Sequence, residues 1–284
     1  MSVERASRPI AIFDSGLGGL TVAAEIHRRF PNENLLFLAD RARVPYASLS
    51  HALIARFAGE CMDFLLGHDP KFLVVACNTV SSVCLDDIAA HSPVPVLGVV
   101  EPTARAAARA SASGRIGVLA TKATVRRQAY DQALARLRTG VQVFSNGAPL
   151  LVPLVEEGWT DGEIPRQIVE HYLTPIRRAG VDTLVLGCTH YEYFQNVMRE
   201  VMGPGVEVVN TPQATADVLG SMLQACAEAS AAGGAGTVTI VSTDINEALD
   251  IVVRTLFPQP EFPGQITIHS AQIPPLGAEN ARGL

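Results

Sequence analysis

Short aliphatic runs alternate along the chain with longer stretches in which apolar residues recur at helical spacing. The first runs are PIAIFD, NLLFLAD, FLVVACN and VPVLGVV. A second round begins at RIGVLAT and continues through VQVFSN and DTLVLGCTH to VEVVN. Strand patterns alternating with helical ones predict an α/β fold with mainly parallel sheets. The two rounds resemble each other. One starts on a strand ending near Asp14, the other on a strand ending near Thr121, and each later reaches an apolar strand that ends in cysteine, Cys77-Asn78-Thr79 or Cys188-Thr189-His190. Internal duplication is the simple reading. Chance likeness between short buried strands is the alternative.

The expected organisation is two pseudo-symmetric α/β domains with the site in the cleft between them. Glu101-Pro102 is expected to close VPVLGVV, and an alanine-rich helix, TARAAARASAS, follows. Thr211-Pro212 is a matching return point. A discontinuous first domain of residues 1–102 plus 211–284 and a second of 103–210 are therefore expected. After an Ala/Gly linker at 230–236 come two more strands, TVTIVSTD and ITIHS, and the end PPLGAENARGL is expected to fray.

Composition narrows the function classes. The 284 residues are enough for one large or two modest domains, and 48% apolar with 18% charged residues is an ordinary globular balance. A net charge of -6 gives no general basic surface, so direct nucleic-acid binding is not expected. No apolar stretch is long enough to cross a bilayer and MSVERASRP lacks the apolar core of a signal peptide, which predicts no membrane partner and a cytoplasmic protein. The five cysteines, at 61, 77, 84, 188 and 226, form no C-x-x-C pair. Neither a disulfide framework nor a metal site is expected.

In an open α/β sheet, ligands bind beyond the carboxyl ends of the strands, where helix N-termini offer N–H donors. Asp14-Ser15-Gly16, Pro45-Tyr46, Cys77-Asn78-Thr79 and Cys188-Thr189-His190 all occupy such places and are the candidate constellation. The glycines of DSGLGGLTV do not follow the dinucleotide spacing and no phosphate-loop GK[ST] is present; they suit a tight turn and close approach. Asp14 has a plain alternative as a helix cap, and His190 as a strand-end residue bonded to backbone. A lone strand-end cysteine is usually a small buried hydrophobe. Two at equivalent places in similar halves can instead approach one carbon from opposite sides, which suits inversion of a stereocentre by thiols that ionise near neutral pH. Cys61, Cys84 and Cys226, within helical patterns, are expected to be structural.

IAIFDSGLGGLTV, ADRARVPY, VVACNTVSS, VLGVVEP, LVPLVEEG and LGCTHY, between positions 10 and 191, resemble in order the signature segments of bacterial glutamate racemase, in the aspartate/glutamate racemase family. The resemblance implies an isomerase needing no cofactor, which makes D-glutamate from L-glutamate for peptidoglycan in cell-wall biogenesis and the upkeep of cell shape. It implies that Cys77 and Cys188 are the acid/base pair, Cys77 serving the D-enantiomer and Cys188 the L-enantiomer. Asp14 and His190 would assist them, and Glu156 would orient the histidine. Ser15, Pro45, Tyr46, Ala47, Asn78, Thr79 and Thr189 would contact substrate, together with Asp14 and His190, while Thr121 and Thr124 would hold a carboxylate. Family members are often homodimers, and some act on DNA gyrase. A racemase for another acidic amino acid such as aspartate, and a degenerate binding protein, remain alternatives.

The chain departs from the family pattern at three places. Ala47 replaces the usual glycine of VPYG, with a strain cost of about 1 kcal/mol if its φ is positive. Ala148 stands for a usual cysteine without a named role. Glu192-Tyr193-Phe194 replaces Pro-Leu-Leu, and Glu192 is expected to raise the His190 pKa or repel a dianionic substrate.

Overall fold

The computed structural model describes residues 6–226, 234–258 and 264–275. Most of the 230–236 linker and most of the PPLGAENARGL end lie outside those residues. Among the described residues ten strands form two sheets, both wholly parallel. The six-stranded sheet, ordered β10-β9-β2-β1-β3-β4, is built from β1 (Ile10–Asp14), β2 (Leu35–Ala39), β3 (Phe72–Val75), β4 (Val96–Gly98), β9 (Val238–Ser242) and β10 (Ile266–Ser270). The four-stranded sheet, ordered β6-β5-β7-β8, is built from β5 (Arg115–Ala120), β6 (Gln142–Gly147), β7 (Thr183–Gly187) and β8 (Glu207–Val209). The order β2-β1-β3-β4 in one sheet is repeated as β6-β5-β7-β8 in the other, which is the pseudo-symmetry expected of an α/β protein with two similar halves.

Why these strands read as unbroken apolar runs follows from their burial. Every residue of β1 is buried, with Ile10 and Ile12 in the core on one face and Ala11 and Phe13 in the core on the other. A parallel strand covered on both faces has no polar side to show as alternation. The second sheet is the same: Ile116, Val118 and Ala120 pack on one side, Leu119 on the other. Removing a ring as large as Phe13 from such a core costs about 3–5 kcal/mol.

The helices that position the site are α1 (Leu20–Arg29), α2 (His51–Leu66), α3 (Asn78–Val83), α4 (Leu85–His91), α5 (Val100–Ala110), α6 (Lys122–Arg126), α7 (Ala129–Leu137), α8 (Leu151–Glu156), α9 (Glu163–Arg178), α10 (Gln195–Met202), α11 (Thr211–Cys226) and α12 (Glu247–Leu256). Two sequence expectations change here. Glu101-Pro102 does not close a strand: β4 ends at Gly98 and α5 already begins at Val100, with Pro102 in its first turn, where a missing N–H breaks no helical bond. Pro212 likewise lies in the first turn of α11. Cys61 and Cys226 lie in helices, but Cys84 sits at the junction of α3 and α4. Val100, Ala104 and Ala107 of α5 pack into the core of the second sheet, and α11 packs against both α1 and α5. Those two helices therefore join the halves.

Candidate active site

The carboxyl ends of β1 and β3 face those of β5 and β7 across a small cavity. Cys77 and Cys188 both line it, each buried with a few per cent of its surface exposed. Ser15, Asn78 and Thr79 line the same cavity from the first half, together with the Pro45-Tyr46-Ala47 turn. Thr121, Thr189 and His190 line it from the second. Val44 and Val152 also line it; nothing in their type or spacing marked them beforehand. About 350 Å³ of space lies between the lining atoms, yet the space open to the centre of a water molecule is about 20 Å³. That is room for about one water. An amino acid enters only if the lining groups part.

Around Cys77 the contacts are short and neutral. Its sulfur lies 3.3 Å from the Ser15 hydroxyl. Burial, reinforced by the Asp14 charge, pushes the Cys77 thiol up to about 12. Asp14 is itself fully buried, and burial pushes its carboxyl up to about 6 against the opposing pull of His190. Asp14 Oδ1 accepts the Gly16 N–H at 2.7 Å and Oδ2 accepts the Thr189 hydroxyl at 3.2 Å. No side chain caps α1, so Asp14 is not the cap that its position after a strand allowed.

Around Cys188 the contacts are ionic. His190 Nδ1 lies 3.9 Å from the Cys188 sulfur, and His190 Nε2 donates to Glu156 Oε1 at 2.7 Å. Burial disfavours the His190 cation, but the Cys188 sulfur and the Glu156 carboxylate outweigh it and hold the imidazole up at about 10. Burial likewise opposes the Glu156 charge, and the bonds from His190 together with the field of Arg41 bring its pKa below the usual value. Arg41 follows β2 and sits in ADRARVPY, yet nothing in its spacing singled it out. His190 is therefore more than a strand-end residue bonded to backbone.

Gly18 lets the halves meet, and Gly19 lets the loop fold back on Asp14 within the first half. A Cβ on Gly18 would lie 2.4 Å from Thr189 Oγ1 and 2.6 Å from His190 Nδ1, while one on Gly19 would lie 2.4 Å from Asp14 Cβ. Both need the missing side chain for close approach.

Hydroxyls and amides cross the cleft as well. Thr79 Oγ1 and Thr121 Oγ1 are 3.0 Å apart, and Thr124 Oγ1 stands 3.1 Å behind Thr121. Tyr130 donates to Asn78 Oδ1 at 2.6 Å, which leaves the buried Asn78 Nδ2, on the cavity wall, without a protein partner. The Tyr46 hydroxyl donates to Asp40, so only its ring is offered to the cavity. Asp14, Thr124 and Glu156 stand behind the lining residues and touch them.

The departures resolve differently from expectation. Ala47 lies in a 3-10 turn, Tyr46–Ser48, and among the described residues the non-glycine positions with positive φ are Asp69 and Gln128. The strain that a left-handed alanine would bring does not arise. Glu192 turns away from the cavity. Its Oε1 accepts the Thr211 N–H at 3.0 Å at the start of α11, where unpaired helix N–H groups attract a carboxylate. It is not among the leading groups that set the His190 charge. Burial pushes its own carboxyl up to about 8.

Among the described residues no cluster of three or more His, Cys, Asp or Glu could hold a metal ion, and no helix is long and apolar enough to cross a membrane. Residues 20–219 match the sequence profile of the Asp/Glu/Hydantoin racemase family. The glutamate racemase of Geobacter metallireducens is 45% identical over 217 residues, covering 76% of this chain and 80% of that protein. A crystal structure of a glutamate racemase isoform from Bacillus anthracis superposes with a TM-score of 0.89 at 31% identity, covering 94% of this chain and 98% of that one. The glutamate racemase of Francisella tularensis, solved in complex with D-glutamate, gives a TM-score of 0.84 at 27% identity, covering 95% of this chain and 98% of that one. With its two thiols on one cavity and this breadth of likeness, the chain belongs to the Asp/Glu/hydantoin racemase family, among the glutamate racemases.

Proposed function

We propose that the protein interconverts L- and D-glutamate without a cofactor, by moving protons between the substrate carbon and two thiols. The observation that carries this reading is that Cys77 and Cys188, which end equivalent strands of two similar sheets, line one cavity. On this reading the lobe boundaries fall between residues 102 and 103 and between 210 and 211. Racemisation needs one thiolate and one thiol at once. Burial pushes the Cys77 thiol up, and the cationic His190 stands beside Cys188, which supports Cys188 as the base for L-glutamate. Cys188 takes the α-proton from one face, forming its S–H bond as the C–H bond breaks. Cys77 then gives its proton to the opposite face of the carbanion and is left as thiolate. The reverse sequence converts D-glutamate.

The α-proton is weakly acidic because the neighbouring carboxylate resists further negative charge, so donors must stabilise the transition state. Ser15 and the first-turn amides of Asn78 and Thr79, with the orphaned Asn78 Nδ2, are placed to receive one carboxylate of the substrate, and Thr121, backed by Thr124, the other. Asp14 assists Cys77; His190, oriented by Glu156, assists Cys188. A nearly dry cavity strengthens each of these interactions.

The product would serve peptidoglycan synthesis in the cytoplasm. The family likeness supports a homodimer, which sedimentation velocity would read. The function is tested by incubating L-glutamate with the protein in deuterium oxide and following optical rotation and the α-proton signal. Both should decay, and neither should change with the double variant Cys77→Ala/Cys188→Ala. Exchange into aspartate but not glutamate would point to the sister activity, and binding of glutamate without exchange to a degenerate binding protein.

A further inference from the structure

Arg41 is buried at the meeting of the two halves, with 6% of its side chain exposed. Its Nη1 donates to Asn246 Oδ1 at 2.8 Å and to the Asp244 carbonyl at 3.2 Å, and lies 3.8 Å from the Asp244 carboxylate. Both partners follow β9, so one end of the guanidinium is fixed to the six-stranded sheet. The other end, Nη2, reaches Glu156 Oε2 at 3.4 Å in the opposite half. Its Nε is buried without a partner. The two oxygens of Glu156 are thus divided between Arg41 and His190, and His190 Nδ1 faces the Cys188 sulfur.

We propose that Arg41 is a positioning residue: anchored beyond β9, it clamps the Glu156 carboxylate against His190 when the cleft is shut, and so sets how firmly His190 holds a proton beside Cys188. This rests on the racemase reading above. A carboxylate that also bonds an arginine keeps a fixed plane and gives less of its charge to the imidazole. The contact spans the two halves, so opening the cleft to admit substrate would break it and closing would restore it. At 3.4 Å it has room to tighten around a bound substrate, as catalytic contacts commonly do. The ionisable groups that bear on this pair from the surrounding elements are Asp14 after β1, Cys188 after β7, Tyr193 in the following turn, and Asp244 after β9.

The test compares wild type with Arg41→Ala and Arg41→Lys. In Arg41→Ala the account expects kcat from L- to D-glutamate to fall about tenfold with KM within about twofold, and the reverse direction to lose less. Removing a cation while leaving Glu156 wholly to His190 should also move the alkaline limb of kcat, and the His190 titration read by imidazole NMR, to higher pH. Arg41→Lys should keep the limb and recover part of kcat. Unchanged kcat and an unchanged His190 titration in Arg41→Ala would overturn the proposal, as would equal losses in both directions with the limb unmoved. An inactive wild type would instead overturn the racemase reading; the NMR titration, which needs no turnover, still decides whether Arg41 governs His190.

Discussion

The two thiols end equivalent strands, yet their surroundings differ. Cys77 has a serine hydroxyl and a buried aspartate for neighbours, whereas Cys188 has an imidazolium backed by a carboxylate and an arginine. Pseudo-symmetry in the sheets thus carries asymmetry in the charge. The difference has a chemical use, because a two-thiol mechanism needs one sulfur with its proton and one without, and identical surroundings would leave that choice unsettled. The halves are also interlocked: Asp14 of the first bonds Thr189 of the second, and Glu156 of the second bonds Arg41 of the first.

The comparison breaks first at the sulfurs. Cys77→Ala and Cys188→Ala should each lower racemisation by at least about a thousandfold in both directions while circular dichroism and glutamate binding stay near wild type. Full activity in either single variant would exclude two bases. The next largest effect sharpens the asymmetry: His190→Asn should slow conversion of L-glutamate by about a hundredfold and the reverse by clearly less in initial-rate assays. Asp14→Asn should show the opposite bias and remove an acid limb near pH 6, because protonation of the native carboxylate at about 6 withdraws its help from Cys77.

A smaller effect belongs to the approach of the halves. Gly18→Ala puts a methyl against Thr189 and His190, and since the His190 backbone nitrogen would lie 2.8 Å from it, the loop must shift. A loss of about tenfold in kcat with a lowered Tm is expected; unchanged kinetics would mean that the halves need not fit so closely.

The smallest effect is on stability alone. Glu192 ionises at about 8 in the fold against an ordinary 4.5. A raised carboxyl contributes stability that is complete below about pH 4.5 and is lost as pH rises through about 8. Glu192→Gln imitates the protonated form, so its advantage in unfolding free energy over wild type should be near zero at acid pH and reach about 1 kcal/mol or more by pH 9. Thermal melts across that range check it; parallel curves would show that Glu192 is not titrating where the geometry places it.

Much of the fold was legible because the central strands of both sheets are buried on both faces, so β1, β3, β5 and β7 appear as uninterrupted apolar runs ending in polar residues. Cys77, Cys188, Asp14 and His190 stood out for the same reason: a reactive group after a buried strand interrupts the pattern. Other features depend on where a side chain turns. Glu192 lies two residues from His190 in sequence, but the Thr211 N–H draws it toward α11 instead of the cavity. Arg41 is one of two arginines in ADRARVPY, and only the packing of α8 against the loop after β2 distinguishes it. Where α5 begins was hidden too, since Pro102 punctuates a strand or opens a helix equally well.

The most direct test is the fate of hydrogen in early turnover. When L-glutamate is converted in deuterium oxide and the reaction is stopped after a few per cent, two thiols on opposite faces require that the D-glutamate formed carry solvent deuterium at Cα while the remaining L-glutamate keeps its protium. Product that retains the substrate's own hydrogen, or recovered L-glutamate that exchanges as fast as product appears, would mean that a single group serves both faces.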